Sequence, residues 1–138
     1  MDILKPFDNN TLLLGKVLDL RARKAQTISS NIANAETPGF SPSRFTFEED
    51  LAVALKGREG VKLTTSHDAH IALGPGNFNS INGKVVTEQA KTTIGDGNNV
   101  SVDQEMLALS ENELLYETAA QLLKKKMSLI KHVISGGQ

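Results

Sequence analysis

Apolar residues recur at helical spacing near both ends of the 138-residue chain but not in its middle. From about residue 10 to residue 35 they recur in steps of three and four, which is the period of a coiled-coil seam. Pro38 disfavours helical backbone in the preceding residue, so this first helix is expected to end near Thr37. The apolar seam of the first helix, with one polar member, comprises Leu14, Leu18, Arg21, Ala25, Ile28 and Ile32.

A longer series, from about residue 102 to residue 134, predicts a second helix. Ser101 and Gln104 form a capping box at its start, and Gly136 follows its expected end. Its seam also has one polar member, Glu113, which we hypothesise to meet Arg21 and to fix the register of the two helices. The seam of this helix comprises Met106, Leu109, Glu113, Tyr116, Ala120, Leu123, Met127 and Ile130.

A second apolar series, the outer stripe, lies beside the seam of the last helix and comprises Leu107, Leu114, Leu122 and Leu129. Pairing of the two long helices covers one stripe and leaves the other exposed. Exposed apolar patches of this kind mark partner surfaces. The alternative is that both stripes form one wide face inside a small helical bundle.

The middle of the chain, residues 41–99, lacks sustained helical periodicity. Residues 45–47 suggest a short extended piece, and residues 48–55 suggest one or two helical turns. Asn82-Gly83 between two short apolar runs predicts a β-hairpin with a type I′ turn, pairing residues 78–81 with residues 84–87.

These patterns predict a mainly α fold in which the N- and C-terminal helices pair as an α-helical coiled coil. The middle is expected to be a small irregular segment that contains β-structure. The chain is therefore predicted to divide into residues 1–40, 41–99 and 100–138, with the first and last forming one coiled-coil core.

Composition narrows the class of function. Lys and Arg number 15 against 16 Asp and Glu, so the chain lacks the basic footprint typical of a nucleic-acid binder. Only 4% of residues are aromatic, which argues against the ligand pocket of an enzyme. The absence of cysteine excludes disulfides and thiolate metal sites. No apolar run approaches the roughly 20 residues of a membrane span, and no cleavable signal peptide is visible.

His67 and His70 are the only clustered candidate metal ligands. No further His or Cys completes a site around them, so neither a metal nor another cofactor is expected. A small metal-dependent enzyme that uses these two histidines is the weakest alternative.

The end of the first helix carries a recognisable motif. Residues 30–40 read SNIANAETPGF, which resembles the S-N-I-A-N-x-x-T-P-G-[YF] signature of bacterial flagellar rod and hook proteins. Pro38-Gly39 fits the two central positions of a type II turn, where proline presets φ and glycine accepts a positive φ. The residues that define this rod signature are Asn31, Ile32, Ala33, Asn34, Thr37, Pro38, Gly39 and Phe40.

The resemblance implies a structural, non-catalytic subunit of the proximal rod of the flagellar basal body. Such a subunit would polymerise by coiled-coil packing into the drive-shaft that transmits torque from the MS ring. The implied partners are other copies of itself, rod subunits of the FlgC and FlgF types, a FliE-type adaptor and the MS-ring protein FliF. The subunit would pass through the flagellar type III export apparatus without a cleaved signal and lie in the periplasm, with no direct membrane span and no nucleic acid. The alternatives are a sister rod protein of the FlgC type and a non-polymerising helical adaptor or chaperone.

Overall fold

The computed structural model describes residues 8–56, 78–88 and 100–136. Within these ranges, two long helices stand at the ends of the chain and short elements lie between them. The elements are α1 (Asn9–Ala33), β1 (Ser43–Thr46), α2 (Glu48–Lys56), a 3-10 turn (Phe78–Ser80), β2 (Lys84–Thr87) and α3 (Val102–Ile134).

The two long helices pack against each other in opposite directions. The start of α1 lies beside residue 126, its middle beside residue 112, and its end beside residue 105. Residue numbers therefore rise along α1 as they fall along α3. This arrangement, together with the small strand-containing middle, confirms the predicted fold class.

Side chains accept hydrogen bonds from backbone N–H groups at the starts of the two long helices. The carboxylate of Asp8 accepts hydrogen bonds from the backbone N–H and the hydroxyl of Thr11, both at 2.9 Å, and so caps the first turn of α1. The hydroxyl of Ser101 accepts from the N–H of Gln104 at the start of α3. After α3, Gly136 has a φ of +72°, the left-handed conformation in which many helices end.

A second face of α1 carries a small core in which half of the buried side chains are aromatic. Leu20 is buried there against residues of β1, α2 and the 3-10 turn. Phe45 lies in β1 and Phe47 directly follows the strand, both are buried, and their ring centroids lie 5.9 Å apart. The buried members of this core are Leu20, Phe45, Phe47, Ala54, Phe78 and Ile81. The described residues of the middle, 43–56 and 78–88, therefore pack against α1 through this core.

The two strands form an antiparallel pair in which Ser43 lies opposite Thr87 and Thr46 opposite Lys84. The predicted hairpin between residues 78–81 and 84–87 is therefore wrong. Residues 78–80 form a 3-10 turn, and β2 pairs with a strand about 40 residues earlier.

The glycine of the Asn82-Gly83 pair, which suggested the hairpin, is needed here for a different reason. Gly83 does have a positive φ, +68°, as a turn glycine would. However, a Cβ at this position would lie 2.3 Å from the Phe45 ring, so glycine is required for close passage of the chain over the core.

Candidate assembly surface

The buried half of the rod signature joins three elements inside the subunit. Asn31, only 3% exposed, donates to the Ser43 carbonyl at 2.8 Å and accepts from the Ser43 N–H at 3.0 Å. The same amide donates to the Glu105 carboxylate at 3.2 Å. One side chain therefore connects the end of α1 to β1 and to the start of α3. Because each of its polar atoms is bonded, its burial carries little penalty.

The next residues turn the chain away from α1. The Ser30 carbonyl accepts from both the backbone N–H of Asn34, at 3.1 Å, and its side-chain amide, at 2.9 Å. The Phe40 N–H then donates to the Thr37 carbonyl at 3.2 Å, and Gly39 has a φ of +74°. These are the hydrogen bond and the conformation of the predicted type II turn.

The outer half of the signature is exposed. Thr37, Pro38 and Gly39 lie at the surface, Phe40 is half-buried, and a Cβ at Gly39 would meet no atom within 4 Å. Of the other signature residues, Ile32 is half-buried and Ala33 is exposed. The signature therefore combines an internal anchor at Asn31 with an exposed type II turn at residues 37–39.

The hypothesis that Arg21 meets Glu113 is wrong. The Arg21 guanidinium donates instead to the Asn112 side-chain oxygen at 3.2 Å, and the Asn112 amide donates back to the Arg21 carbonyl at 2.9 Å. Asn112 is only 2% exposed, whereas Glu113 is exposed. One residue corresponds to about 100° around a helix, so neighbours of this kind point in very different directions.

The inner face of α3 coincides with the predicted seam in the second half of the helix and departs from it at three positions in the first half. Of the predicted residues, Met106, Glu113 and Tyr116 are exposed, while Leu109, Ala120, Leu123, Met127 and Ile130 are half-buried. On α1 the predicted Leu14, Leu18, Arg21, Ala25 and Ile32 are half-buried and Ile28 is buried. The inner face of α3, its buried and half-buried positions, comprises Glu105, Ala108, Leu109, Asn112, Ala119, Ala120, Leu123, Lys126, Met127 and Ile130.

The sequence pattern displaced the predicted seam of α3 for a physical reason. The two fully buried positions of α3 are Asn112 and Ala119, neither of which is a large apolar residue. Small side chains allow close approach of the helices, and Asn112 supplies hydrogen bonds that Arg21 needs. A search for large apolar residues therefore selects positions one residue later in the first half of α3. A search for small and amide residues at the same spacing would have found the true line.

A charged cluster extends the contact between α1 and the small core. Lys24 donates to the Glu48 carboxylate at 2.5 Å, and the guanidinium of Arg21 stacks 5.2 Å from the centroid of the Phe47 ring. Partial burial opposes ionisation of Glu48, but hydrogen bonds from Lys24 and from backbone N–H groups outweigh it and lower the pKa of this carboxyl.

An ion pair joins the two long helices at the opposite end of the helix pair. Lys126 donates to the Asp8 carboxylate at 2.5 Å. That hydrogen bond, followed by those from the backbone and hydroxyl of Thr11, lowers the pKa of Asp8 to about 2. The carboxylate thus caps α1 and holds α3 at once.

The outer stripe points away from α1. Leu107, Leu114, Leu122 and Leu129 are 71%, 65%, 54% and 59% exposed, respectively. Among the described elements, α3 packs extensively only on α1. The stripe is therefore a long apolar surface that the described part of the subunit leaves open.

Other kinds of site are not evident where the structure can be described. Residues 8–56, 78–88 and 100–136 contain no group of three acidic or histidine side chains placed to hold a metal. His67 and His70 lie outside the described residues. No helix in the described ranges is long and apolar enough to cross a membrane.

Comparison with known proteins defines the class. A family model described as the flagella basal body rod protein matches residues 18–40, which contain the rod signature and about the last two thirds of α1. The signature and the paired terminal helices therefore indicate the class of flagellar basal body rod proteins.

Relatives over most of the chain define the family more narrowly. The flagellar basal body rod protein FlgB of Aeromonas hydrophila is 34% identical over 124 residues, covering 88% of this chain and 89% of that protein. FlgB of Salmonella typhimurium is 31% identical over 126 residues, covering 88% and 90%. FlgB of Bacillus subtilis is 27% identical over 115 residues, covering 83% and 84%. The chain belongs to the FlgB family of flagellar basal body rod proteins.

This membership defines the general role. The chain is a structural subunit of the flagellar rod that serves motility, and its family is one of structural proteins rather than enzymes. It assembles with other components of the flagellar basal body.

Proposed function

We propose that the chain polymerises into the proximal rod by packing the outer stripe of α3 against a neighbouring subunit. The observation that carries this proposal is the exposure of all four stripe leucines on one helix. Burying one such side chain contributes about 1.5–3 kcal/mol, so the stripe represents a large favourable free energy that the isolated subunit does not use.

The exposed turn of the rod signature supports a second contact. Residues 37–39 form a type II turn, and Asn31 and Asn34 anchor the helix end before them. We infer that this turn directs the chain outward at a defined angle and touches a neighbour in the rod. In a helical polymer each interface joins two different surfaces, and the stripe and the turn are two such surfaces.

The finer biological context follows from the resemblance of the signature to those of rod and hook proteins. In this proposal the neighbours are other copies, rod subunits of the FlgC and FlgF types, a FliE-type adaptor and the MS-ring protein FliF. The subunit passes unprocessed through the flagellar type III export apparatus and lies in the periplasm, where the rod transmits torque as a drive-shaft. Residues 1–40 and 100–138 form the coiled-coil core of the rod, and residues 41–99 lie outside it.

The test replaces two stripe leucines by a polar residue of similar size. Cells that carry Leu114→Gln with Leu122→Gln as their only copy are expected to lose swimming motility in soft agar. The control is Glu117→Gln with Lys124→Gln, which introduces the same side chain at two exposed positions off the stripe and keeps the net charge. The control is expected to swim normally.

Circular dichroism of both purified double variants checks the subunit itself. Both are expected to match the parent chain, since all four positions are exposed. Normal motility in the stripe variant contradicts the proposal, as does equal loss in both variants.

A further inference from the structure

The outer stripe of α3 is symmetric about one residue, Thr118. Leu114 and Leu122 lie four residues from Thr118 on either side, and Leu107 and Leu129 lie eleven residues from it. With about 100° per residue, all four leucines lie within about 40° of Thr118 around the helix axis. The leucine pattern therefore reads the same in both directions along the helix.

The charges on this face are complementary about the same point. Glu111 lies seven residues before Thr118 and Lys125 seven residues after it, both within about 20° of Thr118 around the axis. Both side chains are exposed, and neither has an ion-pair partner among the described residues. If one copy of the helix is turned end for end about Thr118, its leucines coincide with the leucines of the other copy. Glu111 then coincides with Lys125.

We propose that, outside the rod, two copies of this chain pair through this face as an antiparallel, two-fold dimer centred on Thr118. In that arrangement Leu107 faces Leu129 of the other copy and Leu114 faces Leu122. Glu111 then faces Lys125 at two equivalent places. The proposal goes beyond the proposed function, because a two-fold interface uses the same surface on both subunits and closes at two copies.

Other pairings of the same face are less favourable. A parallel pair in register places Glu111 against Glu111 and Lys125 against Lys125, and such like-charge contacts are destabilising. A parallel pair shifted by 15 residues aligns two leucine pairs but leaves half of the stripe uncovered. The shifted pair also brings Glu111 to Lys126, which already bonds Asp8.

Disulfide trapping tests the geometry directly, because the chain has no cysteine of its own. In the purified full chain, Thr118→Cys is expected to form a disulfide-linked dimer under mild oxidation. In the antiparallel dimer two copies of position 114 lie about 12 Å apart along the axis, too far for a disulfide. Leu114→Cys alone and Leu122→Cys alone are therefore expected to stay unlinked, whereas a mixture of the two variants yields the mixed disulfide.

The charge arrangement provides a second test. Lys125→Glu converts both facing pairs into like charges and is expected to raise the dimer dissociation constant about tenfold in sedimentation equilibrium. Adding Glu111→Lys to the same chain restores opposite charges and is expected to recover the parent value.

Three results overturn the proposal. The first is a parent chain that stays monomeric up to its solubility limit, whether folded or not. The second is self-linking of Leu114→Cys at least as fast as the mixture, which indicates a parallel pair. The third is a double charge variant that dimerises no better than Lys125→Glu alone.

Discussion

The inner and outer faces of α3 use opposite kinds of side chain. The inner face, which packs on α1, buries Asn112 and Ala119 and joins the helices through hydrogen bonds of Asn112, Glu105 and Lys126. The outer face carries leucines that are more than half exposed. In a monomeric protein the large apolar residues would be expected inside. This contrast is what the proposed packing of the outer stripe against other chains requires.

The small core on α1 sharpens this contrast, because it contains the only leucine that is fully buried among the described residues. Leu20→Ala removes buried apolar contacts and leaves a cavity, so it is expected to lower the free energy of unfolding by about 3 kcal/mol. At a dilution at which the chain is monomeric, the outer-stripe change Leu122→Ala is expected to alter it by less than about 0.5 kcal/mol. Urea unfolding followed by circular dichroism measures both. Equal effects would show that the stripe is packed within the subunit.

The polar character of the inner face can be tested at Asn112. Asn112→Ala leaves the Arg21 guanidinium and carbonyl without their buried partner and is expected to lower the free energy of unfolding by about 2 kcal/mol. Glu113→Ala, at the exposed neighbouring position, serves as the control and is expected to have almost no effect. If Glu113→Ala lowered the free energy of unfolding more than Asn112→Ala in the same urea experiment, the predicted seam through Glu113 would be favoured.

A substitution in the exposed turn of the signature tests its role in assembly separately from its effect on stability. Gly39→Val forces a β-branched residue into left-handed backbone and is expected to cost about 1–2 kcal/mol in urea unfolding. Gly136→Val imposes the same strain after α3, in equally open space. We expect both to be similarly destabilised but only Gly39→Val to abolish swimming. Normal swimming of the Gly39 variant would show that the turn is not part of the assembly surface.

The smallest expected effect is that of the Asp8–Lys126 ion pair, and it depends on pH. Since the pKa of Asp8 is lowered in the folded chain, its contribution is complete above the ordinary value of 3.8 and is lost as the pH falls from 3.8 towards about 2. The carboxylate is 46% exposed, so solvent screening limits the contribution to less than about 1 kcal/mol.

Urea unfolding between pH 6 and pH 2 measures this contribution. The parent chain is expected to lose slightly more stability over this range than Asp8→Asn, which has no carboxyl to protonate. Identical pH profiles for the two chains would show that the ion pair adds nothing to the helix pair.

The elements that depend on local signals could be predicted from sequence. The caps at Ser101 and Gly136 and the turn at Pro38-Gly39 need only neighbouring residues, and the structure has them where they were expected. The start of α1 was placed within a residue, and its end, at Ala33, lies two residues before the last apolar position of the pattern and four residues before the expected stop near Thr37.

The elements that depend on distant partners could not be predicted. β2 pairs with β1 across a long stretch of chain, so the local Asn82-Gly83 signal gave a hairpin that does not form. The role of Asn31 depends on Ser43 and Glu105, which no spacing rule connects to it. The register of α3 depends on Asn112, whose polarity concealed its burial. In each case the deciding contact joins residues that are far apart in sequence.

The central claim is that the outer stripe becomes buried when the subunit joins the rod. Thiol labelling tests it most directly, because Leu122→Cys provides the only thiol in the chain. The account predicts rapid maleimide labelling of the purified subunit at a dilution at which it is monomeric, and strong protection of the same thiol in isolated basal bodies. Lys124→Cys, exposed on a neighbouring side of α3, controls for general access of the reagent. Equal labelling of Leu122→Cys in the free subunit and in basal bodies would contradict the account.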